Sequence, residues 1–121
     1  MLFFNSKHSH LKGRKEEALA EKYLKKAGLK FVTRNFYSRY GEIDLIFQDK
    51  EQLVFVEVKA RKQGAQVSAI ESITQAKLKK IRKTAQVYMI QFDEVPSCRF
   101  DVIAISLGDK DSAIEWIQNA F

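Results

Sequence analysis

The segments GEIDLIF (residues 41–47) and VFVEVK (residues 54–59) constrain the architecture of this chain more than any others. Both have the Val, Ile, Leu and Phe content of strands that are buried on both faces. Each also carries charged residues, which a buried strand tolerates only when they are paired or hold a metal ion. The charges of Asp44, Glu57 and Lys59 therefore mark a candidate functional site.

A hairpin between the two segments would bring these charges together. Side chains two apart on a strand share a face, so we expect Glu57 to lie beside Lys59 and Glu42 beside Asp44. The link 48–52 is short and polar, which is typical of a hairpin loop. Opposite side chains on paired strands lie ~5 Å apart at Cβ. Two carboxylates at that spacing can bind one cation.

Two carboxylates and a lysine in this arrangement predict a Mg²⁺ site that cleaves phosphodiester bonds. Mg²⁺ prefers oxygen ligands and is commonly held by one or two carboxylates together with substrate phosphate. Lys59 would place a positive charge beside the attacking water or the transition-state phosphate. The competing interpretation pairs Glu57 with Lys59 on a solvated face and Asp44 with an arginine. A single charge within each apolar run favours the functional site.

Composition indicates one globular domain with a polyanionic partner. The chain has 121 residues, of which 45% are hydrophobic, so it is long enough to bury a core. Its net charge is +6, and residues 1–83 hold 19 Lys and Arg against 9 Asp and Glu. Such a basic region favours a polyanionic partner, and nucleic acid is the commonest of these. A solvated basic surface would show the same excess of charge.

The sequence predicts neither membrane insertion nor secretion. No segment approaches the ~20 apolar residues of a membrane span, and the first apolar run is too short for a signal peptide. The single cysteine, Cys98, has no internal partner for a disulfide, so we expect a cytoplasmic protein. His8 and His10 are expected at the surface, since no further metal-binding residue lies nearby.

The remaining pattern predicts an α/β domain over 13–121, preceded by a flexible arm over 1–12. A first helix is predicted over 13–27, with its core face marked by Ala20, Tyr23, Leu24 and Ala27. A second helix, capped by Ser72 or Thr74, is predicted to run to about Ile90. Strands are expected at 29–36, 41–48, 52–60, 99–105 and 113–117, the last of them at a sheet edge, with turns at 37–41 and 108–111.

Two further groups of charges need an interpretation. Asp101 is a lone carboxylate in an apolar strand, which would either support the site or pair with an arginine, and we favour the structural role. Several basic residues lie after the second segment and along the second helix, where they would bind a phosphate backbone or merely face solvent. The basic residues concerned are Arg61, Lys62, Lys77, Lys79, Lys80 and Lys83.

These motifs together resemble the PD-(D/E)xK nuclease superfamily, whose shared core is α-β-β-β-α-β. Asp44 matches the acid on its second strand, and Glu57-Val58-Lys59 matches its (D/E)-x-K motif on the third. Within that superfamily the chain is similar to the YraN-like family of uncharacterised bacterial proteins. The matching positions are Gly13, Arg14, Glu17, Ala20, Tyr23, Leu24, Arg34, Asn35, the segments 41–46 and 54–59, Arg61, and the run 99–103.

The resemblance implies a restriction-endonuclease-like fold with a mixed central sheet flanked by helices, as in Holliday-junction resolvases. It implies a Mg²⁺- or Mn²⁺-dependent endonuclease that acts on DNA, with branched or repair and recombination intermediates as candidate substrates. Asp44, Glu57 and the Val58 carbonyl would then bind the metal, and Lys59 would orient the water. A further acid, Glu17 on the first helix, would assist through water or a second ion.

Three alternatives stay open from the sequence. The chain fits a non-catalytic nucleic-acid-binding module that keeps the nuclease core as a scaffold, because its basic surface needs no metal. It also fits a small subunit that requires a protein partner. A homodimer is suggested by the resolvase-like relatives, although no residue pattern identifies a dimer face.

Overall fold

The computed structural model describes residues 6–64, 68–108 and 112–121. Side chains are described for these ranges except for residues 6–14 and residue 112. The order of elements confirms the predicted succession of helix, three strands, helix and one or two strands, with two strands present after the second helix. In chain order they are α1 (Ser6–Lys26), β1 (Lys30–Ser38), β2 (Gly41–Asp49), β3 (Gln52–Lys62), α2 (Gln75–Met89), β4 (Cys98–Leu107) and β5 (Ser112–Ile117).

The strands form one mixed sheet in the order β1-β2-β3-β4-β5. Neighbouring strands are antiparallel except for β3 and β4, which run parallel and are connected through α2. A parallel pair needs such a crossover because a hairpin can join only antiparallel strands. The mixed sheet confirms the predicted α/β class and is consistent with a restriction-endonuclease-like core, and β5 lies at an edge as expected.

The two helices cover opposite faces of the sheet. Leu45 and Val56 pack on the side of α1, whose Ala20 and Leu24 are fully buried. On the other face, Phe55 packs against Ile81 and other residues of α2. Two of the residues predicted to face the core in the first helix do not: Tyr23 is 36% exposed and Ala27 is also exposed. The buried stripe of α1 is therefore narrower than the sequence pattern suggested.

Element boundaries differ from the prediction mainly at the ends. The first helix begins at Ser6, so residues 6–12, predicted as a flexible arm, are helical, while residues 1–5 lie outside the described residues. Of the two predicted caps, Thr74 is correct, because its side chain accepts a hydrogen bond from the Lys77 N–H. Strand β1 extends to Ser38, which leaves only residues 39–40 as its turn. No helix in the described ranges is long and apolar enough to cross a membrane.

Asp101 pairs with an arginine, as predicted. Its fully buried carboxylate accepts hydrogen bonds from Arg99 Nε at 3.0 and 3.2 Å and from Trp116 Nε1 at 2.9 Å. The Asn119 N–H adds a bond of 2.9 Å. This cluster fastens β5 and the following residues to β4, so the Asp101 charge has a structural role distinct from the charges of Asp44 and Glu57.

Candidate metal and active site

The hairpin of β2 and β3 brings Asp44 and Glu57 side by side. The two strands are paired from Asp49 and Gln52, next to the turn, as far as Leu45 and Val56. One step further in the same register, Asp44 lies opposite Glu57. Asp44 Oδ2 also accepts a hydrogen bond of 2.8 Å from the Val58 N–H, one residue after Glu57. The Asp44 carboxylate is thus anchored to the backbone of the strand that carries Glu57.

The regular alternation of β2 is interrupted at Asp44. Ile43 and Leu45 are two residues apart, yet they pack into core clusters on opposite faces of the sheet. The facing residue in β1 is Asn35, which lies between two residues paired with Leu45 and Ile43 and has a φ of 53°. Asparagine is one of the few residues that adopt this left-handed conformation readily. The irregularity therefore has a sequence cause on the neighbouring strand.

This irregular region carries a cluster of three carboxylates. Oxygen atoms of Glu17, Glu42 and Asp44 lie within 4.8 Å of one another. Asn35 Nδ2 donates to both Glu17 Oε1 at 3.0 Å and Glu42 Oε2 at 2.9 Å, and the Tyr37 hydroxyl lies 3.3 Å from Glu42 Oε2. Asn35 was not predicted as a site residue, and Glu42 had no assigned role. The available signal was an asparagine inside a strand pattern.

Glu57 occupies the most enclosed position of the site. It is 5% exposed, and its Oε1 atom has no hydrogen-bond partner among the described residues. Its Oε2 atom lies 3.8 Å from Lys77 Nζ, which reaches over from α2. Lys59 lies half-buried in the same cavity, and its charge favours the ionised form of Glu57. An unpaired buried oxygen of this kind is costly unless a ligand completes it.

The carboxyl groups bind protons more tightly than they would in water. Burial, followed by the charge of Glu57, raises the pKa of Asp44 well above its usual range. Burial also raises the pKa of Glu57 against the opposing charges of Lys77 and Lys59, and it raises the pKa of Glu17. Crowded carboxyls with raised pKa values are characteristic of sites that bind a cation.

An open cavity of about 430 Å³ joins these groups. Glu16 and Glu17 both line this cavity, but only Glu17 is hydrogen-bonded to Asn35 among the described residues. The cavity gathers the predicted acids and lysine into one place. Its lining is Glu16, Glu17, Glu42, Asp44, Glu57, Val58, Lys59, Ala60, Arg61 and Lys77.

The basic residues predicted to bind nucleic acid divide into two groups. Arg61 and Lys77 line the cavity. The other four are exposed at the end of β3 or along α2, outside the cavity lining, and their binding role stays a prediction. These four are Lys62, Lys79, Lys80 and Lys83.

Comparison with known proteins identifies the family. Residues 16–105 match the model of the uncharacterised protein family UPF0102. A UPF0102 protein of Vibrio parahaemolyticus is 49% identical over 110 residues, covering 89% of both chains. One of Saccharophagus degradans is 44% identical over 118 residues, covering 96% of both. The chain belongs to the UPF0102 family, which confirms the resemblance to the YraN-like proteins.

Proposed function

We propose that this member of the UPF0102 family is a Mg²⁺- or Mn²⁺-dependent endonuclease that hydrolyses phosphodiester bonds of DNA. Branched DNA and repair or recombination intermediates are the substrates we favour. The observation that carries the proposal is the buried Glu57 carboxyl, placed against the Asp44 carboxyl and in one cavity with Lys59, with one of its oxygens unpartnered among the described residues.

The residues present fit a hard divalent cation. All candidate ligands are oxygens, which Mg²⁺ and Mn²⁺ prefer over nitrogen and sulfur. Asp44 and Glu57 would hold the ion, with the Val58 carbonyl as a further ligand. Glu17 and Glu42 lie close enough to Asp44 to bind waters of that ion or a second ion. Asn35 would keep both glutamates in place through its two hydrogen bonds.

A bound divalent ion would polarise the scissile phosphate and lower the pKa of a coordinated water. The protein residues supply positioning and charge around that chemistry. Lys59 would donate a hydrogen bond to the attacking water or to a phosphate oxygen, where a fixed positive charge stabilises the transition state. Glu17 would orient a water from the side of α1. Arg61, at the rim of the cavity, would bind the adjoining backbone phosphate.

One observation favours a second candidate, a nucleic-acid-binding module without catalysis. Lys77 Nζ lies 3.8 Å from Glu57 and partly neutralises it without a metal ion. If this ion pair persists in solution, the acidic site is a structural element. The basic surface would then account for the function by itself, and binding to DNA would depend on salt but not on Mg²⁺.

Cleavage assays with matched variants distinguish the two candidates. Labelled four-way junctions, forks, single strands and duplexes are incubated with Mn²⁺, Mg²⁺ or EDTA. We expect metal-dependent cleavage by the wild type and none by Glu57→Gln or Lys59→Ala. Glu51→Gln, at the exposed β2–β3 turn on the opposite end of the hairpin, is the control and should cleave normally. Equal cleavage by the two site variants would refute the endonuclease assignment. DNA binding without cleavage under any condition would support the scaffold.

A further inference from the structure

The turn between β1 and β2 packs against α2 next to the acidic cavity. The Ser38 hydroxyl lies 2.9 Å from the Thr84 hydroxyl of α2. At Gly41 a Cβ atom would lie 3.4 Å from Lys80 Cβ, so the backbone approaches the helix closely. The next residue, Glu42, belongs to the carboxylate cluster. The turn is therefore held in a fixed position beside the candidate site.

The aromatic ring at this turn is surrounded by cations. The Arg39 guanidinium carbon lies 4.9 Å from the centre of the Tyr40 ring, and Lys83 Nζ lies 5.4 Å from it. Arg39 Nη2 also donates a hydrogen bond of 2.8 Å to the Tyr40 hydroxyl. Within the described residues, neither cation has a carboxylate within ion-pair distance. Two cations without acidic partners flank an aromatic surface.

Lysines on α2 connect this ring to the cavity. Lys77, Lys80 and Lys83 recur every three residues and so lie along one side of the helix. With a rise of about 1.5 Å per residue they span about 9 Å. Lys77 contacts Glu57, Lys80 lies against Gly41 and Lys83 approaches Tyr40. We call this path from the cavity to the ring the basic seam, formed by Arg39, Tyr40, Lys77, Lys80 and Lys83.

We propose that the basic seam binds an unpaired segment of the DNA strand that is cleaved, with one base stacked on the Tyr40 ring in place of one of the two cations that lie over it. The inference rests on the proposed function and specifies its substrate as DNA with single-stranded character at or near the cleaved bond. An unpaired base can offer its face to an aromatic side chain, whereas a base inside a duplex is stacked on both sides. The lysines complement the phosphates of the same strand.

The combination of ring and cations is what favours an unpaired strand over a duplex. Phosphates of a duplex are recognised by cations and hydrogen-bond donors, and none of these contacts uses the face of an aromatic ring. Proteins that hold single strands combine a positively charged groove with aromatic side chains on which bases stack. The basic seam has both components within one short path that ends at Glu57.

Binding measurements on two forms of one sequence test the proposal. Fluorescence anisotropy in EDTA compares a labelled single strand with the matching blunt duplex, for the wild type, Tyr40→Leu and Tyr40→Phe. Loss of one stacked base should weaken single-strand binding by Tyr40→Leu about tenfold. Duplex affinity should be nearly unchanged, and Tyr40→Phe should bind like the wild type because it keeps the ring. Equal effects of Tyr40→Leu on both DNAs, or no effect, would overturn the proposal.

A second variant, Lys83→Gln, tests the proposal independently in case Tyr40→Leu does not fold. Lys83→Gln changes one exposed charge, and circular dichroism verifies the fold. It should lower the slope of log affinity against log salt for the single strand by about 0.7, the value for one phosphate contact. An unchanged slope would also contradict the proposal.

Cleavage, assayed separately, distinguishes this inference from the proposed function. If Tyr40→Leu selectively weakens single-strand binding but no DNA is cleaved with any metal, the binding role of the basic seam is supported and the endonuclease proposal is refuted. If the wild type and Tyr40→Leu both cleave single-stranded and duplex DNA at equal rates, the endonuclease proposal is supported and the binding role of the basic seam is refuted.

Discussion

Asp44→Asn should stabilise the metal-free protein at neutral pH. The replacement keeps an oxygen that can accept the Val58 N–H hydrogen bond while removing a negative charge. The charge of Glu57 contributes most to the repulsion on Asp44, followed by the charges of Glu17 and Glu42, whose oxygens lie within 4.8 Å of an Asp44 oxygen. Two unit charges at that distance repel by about 3.5 kcal/mol at an effective dielectric constant of about 20. Solvent screens the half-exposed partners, so we expect a net gain of about 1–3 kcal/mol.

The pH dependence of this gain follows from the raised pKa of Asp44. A carboxyl whose pKa is higher in the folded state binds more protons there than in the unfolded chain. The stability of the wild type therefore falls as pH rises from the unfolded pKa through the folded pKa. Asp44→Asn removes this loss, so its advantage should be largest near pH 8. Below about pH 3 the carboxyl is largely protonated in both states, and the advantage should disappear.

Urea unfolding in EDTA at several pH values measures the effect. A thermal scan should show a rise of about 4 °C per kcal/mol for a domain of this size. Asp101→Asn is the matched control, since its carboxylate is paired with Arg99 and the same substitution should destabilise. If Asp44→Asn is less stable than the wild type at pH 8, the repulsion argument is refuted.

Three further changes test other parts of the structure. Asn35→Gly keeps the left-handed backbone but loses both carboxylate contacts. Mn²⁺ affinity measured by calorimetry should therefore fall about tenfold or more, while circular dichroism shows an intact fold. Unchanged affinity would exclude Asn35 as a residue that positions the carboxylates. Binding of Mn²⁺ should release protons and tighten as pH rises, because burial raises the pKa values of Asp44 and Glu57. Titrations in buffers of different ionisation enthalpy detect that release, and its absence would argue against these ligands. Leu24→Ala should cost about 2–5 kcal/mol in urea unfolding because the side chain is fully buried; Ile90→Ala, at a residue that is 82% exposed, is the control and should cost less than about 0.5 kcal/mol.

The sequence determined the order of the elements and the central pair of the candidate site. The mainly apolar segments 41–47 and 54–59 and the short polar link between them identified the hairpin, because burial on a strand is a local property of the residue pattern. The isolated charges of Asp44 and Glu57 were recognisable for the same reason. Asp101 was correctly expected to pair with an arginine. These inferences need only neighbouring residues and one short turn.

The tertiary structure decided which other groups join that pair. Asn35 and Glu17 are distant in sequence from Glu57, and they enter the site because the β1 edge and α1 lie against β2. Lys77 reaches Glu57 and Lys83 reaches Tyr40 because both lie on the crossover helix α2. Packing of Ile81 against the sheet fixes the rotation of this helix about its axis. Contacts between separate elements depend on side-chain packing across the whole core, and periodicity within one element contains no information about them.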